Sequence, residues 1–204
     1  MPCPTVVLLA GRSGTAKSTF APHLARRLCG VVLDSDDLFT APRQAVGEAT
    51  GLGLSVVNDP IWRNSVHLRL LSFLLSLAAC AASPERPVVA VSPFTGVVAS
   101  LGRFVAGTAG LDVRWRWVVL QAEPGICRDR ISERGWEMDA AKLANWENYD
   151  QACRSLPVPE GAYVVDTSFV GPAQWPQIAE EVGAWVGGTT TPHPLSPTDR
   201  STPA

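Results

Sequence analysis

The chain has 204 residues, enough for about one domain with a full buried core. Hydrophobic residues make up 46% and charged residues 18%, an ordinary globular balance, and a formal net charge of −2 supplies no field to gather nucleic acid or an anionic membrane. The five cysteines (Cys3, Cys29, Cys80, Cys127, Cys153) are odd in number and contain no C-x-x-C pair, which argues against a disulfide framework or zinc site and for reduced cytoplasmic thiols.

The first element is the apolar run Val6–Ala10, a buried strand that is too short, and lacks the basic lead, for a secretory leader. It enters Gly11-Arg12-Ser13-Gly14-Thr15-Ala16-Lys17-Ser18-Thr19, and a helix-compatible segment, Phe20–Leu28, follows. A strand, a glycine-bearing turn and a helix opening at Lys-Ser form a phosphate cradle. The turn aims backbone N–H groups at one point, and the helix N-terminus adds about half a positive charge there. Gly11, Ser13, Gly14, Thr15, Ala16, Lys17, Ser18 and Thr19 are therefore the nucleotide-binding candidates, with Lys17 on the β- and γ-phosphates and Ser18 as a Mg²⁺ ligand. The strict pattern G-x-x-x-x-G-K-[ST] has glycine where this chain has Ala16. A Cβ there crowds the phosphates if the backbone needs φ > 0, and costs little otherwise. A turn of the same composition that binds nothing is the competing reading.

Phe20, Leu24 and Leu28 recur at four-residue spacing on one helix face, with Pro22 tolerated in the first turn and His23 off that face. Gly30 stops the helix, and Val31-Val32-Leu33 reads as a second strand ending in Asp34-Ser35-Asp36-Asp37. Carboxylates at the C-terminal end of a strand lie where open α/β sheets bind ligands. Three acids within four residues repel one another unless a cation or a substrate hydroxyl shares the site. A helix N-cap cluster is the alternative, since aspartate is a favoured cap.

A P-loop with Lys-Ser-Thr, then a helix, then a strand ending in Asp34-x-Asp36 resembles the small P-loop kinases: gluconate kinases, adenylylsulfate kinases, zeta toxins, polynucleotide kinases and chloramphenicol phosphotransferases. The resemblance covers roughly residues 5 to 170, strongly at these two motifs. It implies a three-layer α/β P-loop NTPase fold with a parallel sheet of about five strands and a helical lid. It also implies ATP with Mg²⁺ and phosphorylation of a hydroxyl on a small molecule. The family's catalytic aspartate carries over onto Asp36, and Asp34 matches the first of the pair.

Thr40 to Asn58, with Gly47, Gly51 and Gly53, reads as a loop or lid without periodicity, in the region that contributes to the family's acceptor pocket. Asp59-Pro60 then suits the start of a helix. Trp62 and Arg63 are candidates for the acceptor pocket, Arg63 to pair an anionic group, with core and surface roles as the alternatives. Val66–Ala82 has too short an uncharged stretch to span a bilayer and reads as a buried helix, one face of which could meet a second copy in a homodimer.

Val88–Val91 is the third strand, and it ends in Ser92 where a Walker B strand usually ends in an acid. Magnesium would then rely on Ser18, phosphate oxygens, water and Asp34 or Asp36. A serine also follows this strand in gluconate kinases, and Ser92 and Thr95 are acceptor-contact candidates against a plain turn. Leu101 to Gly110 is weakly patterned. Arg114-Trp115-Arg116-Trp117 could interleave with nucleic-acid bases, but alternation running into Val118-Val119-Leu120 reads as an edge or half-buried strand.

Gly125–Arg134 is a helix with Arg128, Arg130 and Arg134, of which the last two share a face. In the resembled family, arginines here begin the lid and clamp the transferring phosphoryl, so Arg130 and Arg134 join Lys17 and Asp36 as catalytic candidates. Residues 135–139 form the lid tip and Ala140–Ala152 the returning helix, with Lys142, Trp146 and Tyr149 read as packing and surface. Tyr163–Thr167 is the last strand, near the family's adenine site, and Trp175–Val186 the last helix. Residues 1–186 are thus one kinase domain, and 187–204, rich in Gly, Thr, Pro and Ser, a disordered tail. The expected function is phosphoryl transfer from ATP to a sugar acid, an antibiotic hydroxyl or a biosynthetic intermediate. A catalytically weak nucleotide-binding regulator, favoured by Ala16 and the absent Walker B acid, and a nucleic-acid end kinase are the other readings.

Overall fold

The computed structural model describes residues 3–59, 62–94, 112–154 and 157–188. Five strands form one parallel sheet: β1 (Thr5–Ala10), β2 (Val31–Asp34), β3 (Val88–Val91), β4 (Arg114–Gln121) and β5 (Tyr163–Asp166), in the order β2-β3-β1-β4-β5. Side chains of a strand alternate between faces, and here both faces are covered, which is why β1 is apolar throughout. Val7 and Leu9 face one layer with Phe20 and Leu24 of α1 (Lys17–Arg27) and Ile178 and Val182 of the last helix (Trp175–Val186). Val6, Leu8 and Ala10 face the other, with Phe39 of α2 (Ser35–Thr50) and Leu71, Leu74, Leu75 and Ala78 of α3 (His67–Ala81). The sheet between two helical layers is the architecture expected from the motifs.

The central strand β1 has β3 on one side and β4 on the other, so the chain direction of winding reverses beside it. The crevice at the carboxyl ends of β1, β3 and β4 is where such sheets take ligands.

Several local expectations are corrected. Residues 40–50 are not loop: α2 runs to Thr50 and ends on Gly51 in the left-handed conformation, with 3₁₀ turns from Gly53 to Asn58. Gly47 is a contact requirement, since a Cβ there would lie 2.2 Å from the carbonyl oxygen of Gly53. Of the two readings of β4, half-buried holds and edge does not: its first four residues are partly buried and the strand lies between β1 and β5. Its arginines are absorbed locally: Arg114 donates to the Thr5 hydroxyl at 3.1 Å, and Arg116 lies 5.3 Å from the ring centre of Trp185. The returning segment breaks at Asn145. Before it come α4 (Pro124–Arg134) and a 3₁₀ turn at Glu137–Asp139; the segment itself is α5 (Ala140–Ala144) and α6 (Trp146–Arg154), and α7 (Trp175–Val186) follows β5. Asp59 accepts a hydrogen bond from the Trp62 amide at 3.2 Å, capping a π-helical turn before α3. The weakly patterned 101–110 segment and residues 189–204 of the expected tail lie outside the described residues. Among the described residues no helix is long and apolar enough to cross a membrane.

Candidate active site

The loop from β1 to α1 is built on close approaches. A Cβ on Gly11 (φ 146°) would lie 2.5 Å from the Leu120 carbonyl oxygen, and one on Gly14 (φ 84°) would lie 2.5 Å from that of Cys127. Thr15 is fully buried and donates to the Arg12 carbonyl at 2.9 Å, while its own carbonyl accepts from Thr167 at 3.2 Å. Ala16 sits at φ 62°, ψ 28° immediately before α1. The position therefore does require positive φ, and the chain holds an alanine in a conformation that favours glycine.

Lys17 opens α1 and donates to the Arg12 carbonyl at 2.8 Å. Burial lowers its pKa to about 8, against the opposing pull of Asp36 and Asp34. A partly buried ammonium at the N-terminus of α1, with Asp34 and Asp36 lining the same cavity, suits an anion with several charges.

Ser18 donates to Asp34 at 2.8 Å, and the other carboxylate oxygen accepts the Asp36 amide at 2.9 Å as the N-cap of α2. Both readings of the acidic cluster thus meet in Asp34. Burial raises its pKa, and repulsion from Asp36 and Asp37 adds to that while its two hydrogen bonds oppose. Asp36 lies in the first turn of α2 and pairs at 3.0 Å with Arg43, two turns further along and buried. His67 stands near that pair; burial first, and then Arg43, lower its pKa. Ser92, at the end of β3, is buried, and its hydroxyl has no partner among the described residues. Lys17, Ser18, Asp34, Asp36, Ser92, Arg130 and Arg134 line one cavity of about 410 Å³.

The lid side holds most of what the sequence did not reveal. Arg130 donates to the carbonyls of Gly14 at 3.1 Å and Thr167 at 2.8 Å, fastening the phosphate loop to the segment beyond β5. Arg134 donates to Asp139 at 2.7 Å and lies 4.3 Å from the ring centre of Trp136. Asp139 is fully buried and also pairs at 2.6 Å with Lys142, whose ammonium reaches the Ser13 hydroxyl at 3.0 Å. The Ser13 amide donates to the Tyr149 hydroxyl at 3.1 Å, and burial pushes that phenol up to about 12. Arg12 pairs with Asp150 on the same helix. Lys142 and Tyr149 are therefore not mere surface and packing. Their only sequence signal was their place after the lid arginines.

Trp62 is 3% exposed and is not among the cavity residues, so it packs rather than presents a face to a ligand. The side chain of Arg63 and the whole of Thr95 lie outside the described residues. Thr19 lines the cavity and is exposed.

The donor set suits Mg²⁺. Ser18 and Asp34 offer oxygen donors beside the phosphate loop, and Mg²⁺ is ordinarily held by one or two carboxylates plus phosphates and water. Among the described residues no cluster of three or more His, Cys, Asp or Glu could hold a metal alone.

A family model described as an AAA domain matches residues 6–157. A gluconokinase from Sinorhizobium meliloti 1021 has a similar structure, with a TM-score of 0.57, 18% identity, and coverage of 92% of this chain and 96% of its own. A tunicamycin resistance protein from Deinococcus radiodurans has a TM-score of 0.57 at 21% identity, covering 91% and 96%. The APS kinase of Mycobacterium tuberculosis, solved with AMPPNP and APS, has a TM-score of 0.53 at 20% identity, covering 89% and 96%. No curated protein sequence matches significantly. At these identities the likeness is one of fold alone.

Proposed function

The chain belongs to the AAA domain family, whose model spans residues 6–157, and on that footing we propose that it is an ATP-dependent kinase acting on a hydroxyl of a small molecule. The observation that carries this reading is one cavity in which Lys17 and Ser18 of the phosphate loop face Asp34 and Asp36. The gluconokinase and APS kinase among its structural neighbours support it at the level of fold.

In the proposed reaction the loop amides and Lys17 hold the β- and γ-phosphates of ATP. Asp36 orients the acceptor hydroxyl and takes its proton, while the hydroxyl oxygen bonds to the γ-phosphorus. The bond from that phosphorus to the β–γ bridging oxygen breaks, and its electron pair leaves with ADP. Arg134 and Lys142 bring positive charge to the transferring group, where it counts most in the transition state. Arg130, bound to two carbonyls, holds the loop in place. Ser18 and Asp34 would hold Mg²⁺, which when bound draws charge from the phosphate oxygens.

Five unpaired cysteines support a reducing, cytoplasmic setting. Phe73, 58% exposed on α3, supports a homodimer through that helix. A catalytically weak nucleotide-binding regulator is favoured by one observation, the alanine at φ 62° in the phosphate loop. ADP release with Mg²⁺-ATP across a panel of alcohols tests the two. Acceptor-dependent ADP release is expected, and tight ATP binding without any turnover would favour the regulator.

A further inference from the structure

A second cavity, of about 400 Å³, adjoins the first. Gly11 and Arg12 of the phosphate loop line this one, Ser13 onward line the other, and Pro93 borders both. Each is the size a whole small molecule requires. A two-substrate reaction needs two such spaces, and the phosphate loop and lid cations claim the first for ATP.

The chemistry of the second cavity is different. Phe94, Val119, Leu120, Pro124 and Val158 give it apolar walls. Asp150, its one carboxylate among the described residues, bridges two guanidiniums, pairing with Arg12 and, at 2.7 Å, with Arg154. Arg12 is further committed, to the Ala122 carbonyl at 3.4 Å and to the face of Trp146, 5.7 Å from its ring centre. Arg154 is 66% exposed, where water screens its charge. No cation among the described lining residues is thus left inside to hold an acid. Gln121 lines the cavity too and its neutral amide can bond a hydroxyl, but a carboxylate placed here would lose its water without finding an uncommitted cation among the described lining residues. Val158, meanwhile, is 45% exposed between two prolines, an apolar residue kept at the mouth.

We propose that this cavity binds the apolar body of a neutral alcohol and that this alcohol is the phosphoryl acceptor, an inference that rests on the kinase reading above. The hydroxyl reaches the first cavity past Pro93, where the buried hydroxyl of Ser92, without a partner among the described residues, offers it a hydrogen bond and Asp36 takes its proton. The oxygen–phosphorus bond forms as the β–γ bridge breaks and ADP leaves. Of the three acceptor classes compatible with the sequence, the sugar acid is the one this cavity disfavours.

The test uses the full chain, with 2-phenylethanol as neutral probe and gluconate as anionic probe. Methyl NMR is expected to show 2-phenylethanol, and not gluconate, shifting the resonances of Val119 and Val158. Cys153→Trp, which fills the cavity, and Val158→Arg, a change at an exposed position that does not threaten folding, should each weaken 2-phenylethanol binding at least about ten-fold with ATP affinity unchanged. Gluconate shifting these methyls, or 2-phenylethanol binding both variants as it binds the parent, would overturn the inference. ADP release separates it from the reading beneath it. Turnover of gluconate and of no neutral alcohol sinks the inference and leaves the kinase standing. No turnover of any alcohol sinks the kinase reading, and the methyl shifts then decide alone whether the cavity takes a neutral apolar ligand.

Discussion

The hydroxyl of Ser18 donates to Asp34 at 2.8 Å, tying the first turn of α1 to the end of β2. The same carboxylate caps α2, and burial raises its pKa, so a cation bound there would offset the cost of holding the charge. Asparagine caps a helix nearly as well as aspartate. Asp34→Asn should therefore keep the melting temperature within about 2 °C. Turnover should fall by about 10²-fold or more, with a higher Mg²⁺ concentration needed for half-maximal rate. A Mg²⁺ titration that superposes on the parent would show that Asp34 is a cap alone.

Ala16 at φ 62° gives the second expectation. A non-glycine residue in the left-handed region costs about 1–2 kcal/mol. Glycine there removes that strain but gains freedom in the unfolded chain worth about 0.5–1 kcal/mol. The net for Ala16→Gly is a stabilisation of between about 0 and 1.5 kcal/mol, read as a higher urea midpoint at unchanged slope. A lower midpoint would mean that the alanine methyl, packed beside the core under α1, contributes more than the strain costs.

Lys17 supplies a pH dependence with a definite sign. Its pKa falls from 10.5 in the unfolded chain to about 8 in the native one, because burial disfavours the charge. Between those values the unfolded chain carries a proton that the native chain lacks, so this group's contribution to stability rises with pH across that window and is most unfavourable below it. Lys17→Met should melt higher than the parent at neutral pH without nucleotide, and the gap should close toward pH 10. It should also abolish phosphoryl transfer. A gap that stays constant with pH would mean that the ammonium is not desolvated.

The phosphate-loop turn and the Asp34–Asp36 strand end are legible in local sequence because each is written within about ten consecutive residues, whereas Arg130 and Arg134 stood out only through the family resemblance. What escaped depends on contacts made across the fold. Phe39, Arg43 and Gly47 are the buried face of α2 at four-residue spacing, yet an arginine and a glycine do not read as apolar positions. Pro42 lies inside the helix although it cannot donate to the Leu38 carbonyl. Arg43 is buried because Asp36 sits two turns before it, a pairing visible only once the segment is known to be helical. Lys142 and Tyr149 reach Ser13 from more than 120 residues away in the chain, where no local pattern could place them.

Lys142 and Arg134 share Asp139, and the two should separate in kinetics. Lys142 already touches the phosphate loop through Ser13, whereas Arg134 is held back by Asp139 and Trp136. A cation that must leave a carboxylate to reach the reacting group acts chiefly in the transition state. Arg134→Ala should lower kcat by about 10²-fold with little effect on the KM for ATP, while Lys142→Ala should raise that KM as well. Equal effects on KM alone would make both ground-state contacts.

Asp36 is the residue on which the proposed chemistry depends most. It lies in the first turn of α2, lines the phosphate cavity and is held by Arg43 at 3.0 Å. Asp37 is one residue further round the helix, about 100° away, and exposed. A positioned general base is worth about 10²–10⁴-fold, so Asp36→Asn should reduce kcat by that factor while ATP still binds. Asp37→Asn should turn over much as the parent does, because its carboxylate is directed elsewhere. Arg43 acts through Asp36, and Arg43→Met frees that carboxylate from its partner. That variant should lower kcat less than Asp36→Asn does, since it removes the positioning partner and leaves the base itself in place. A parent-like rate in Asp36→Asn with a true acceptor would remove Asp36 as the base. Asp34, its carboxylate already on Ser18, would then be the remaining aspartate of the pair to test.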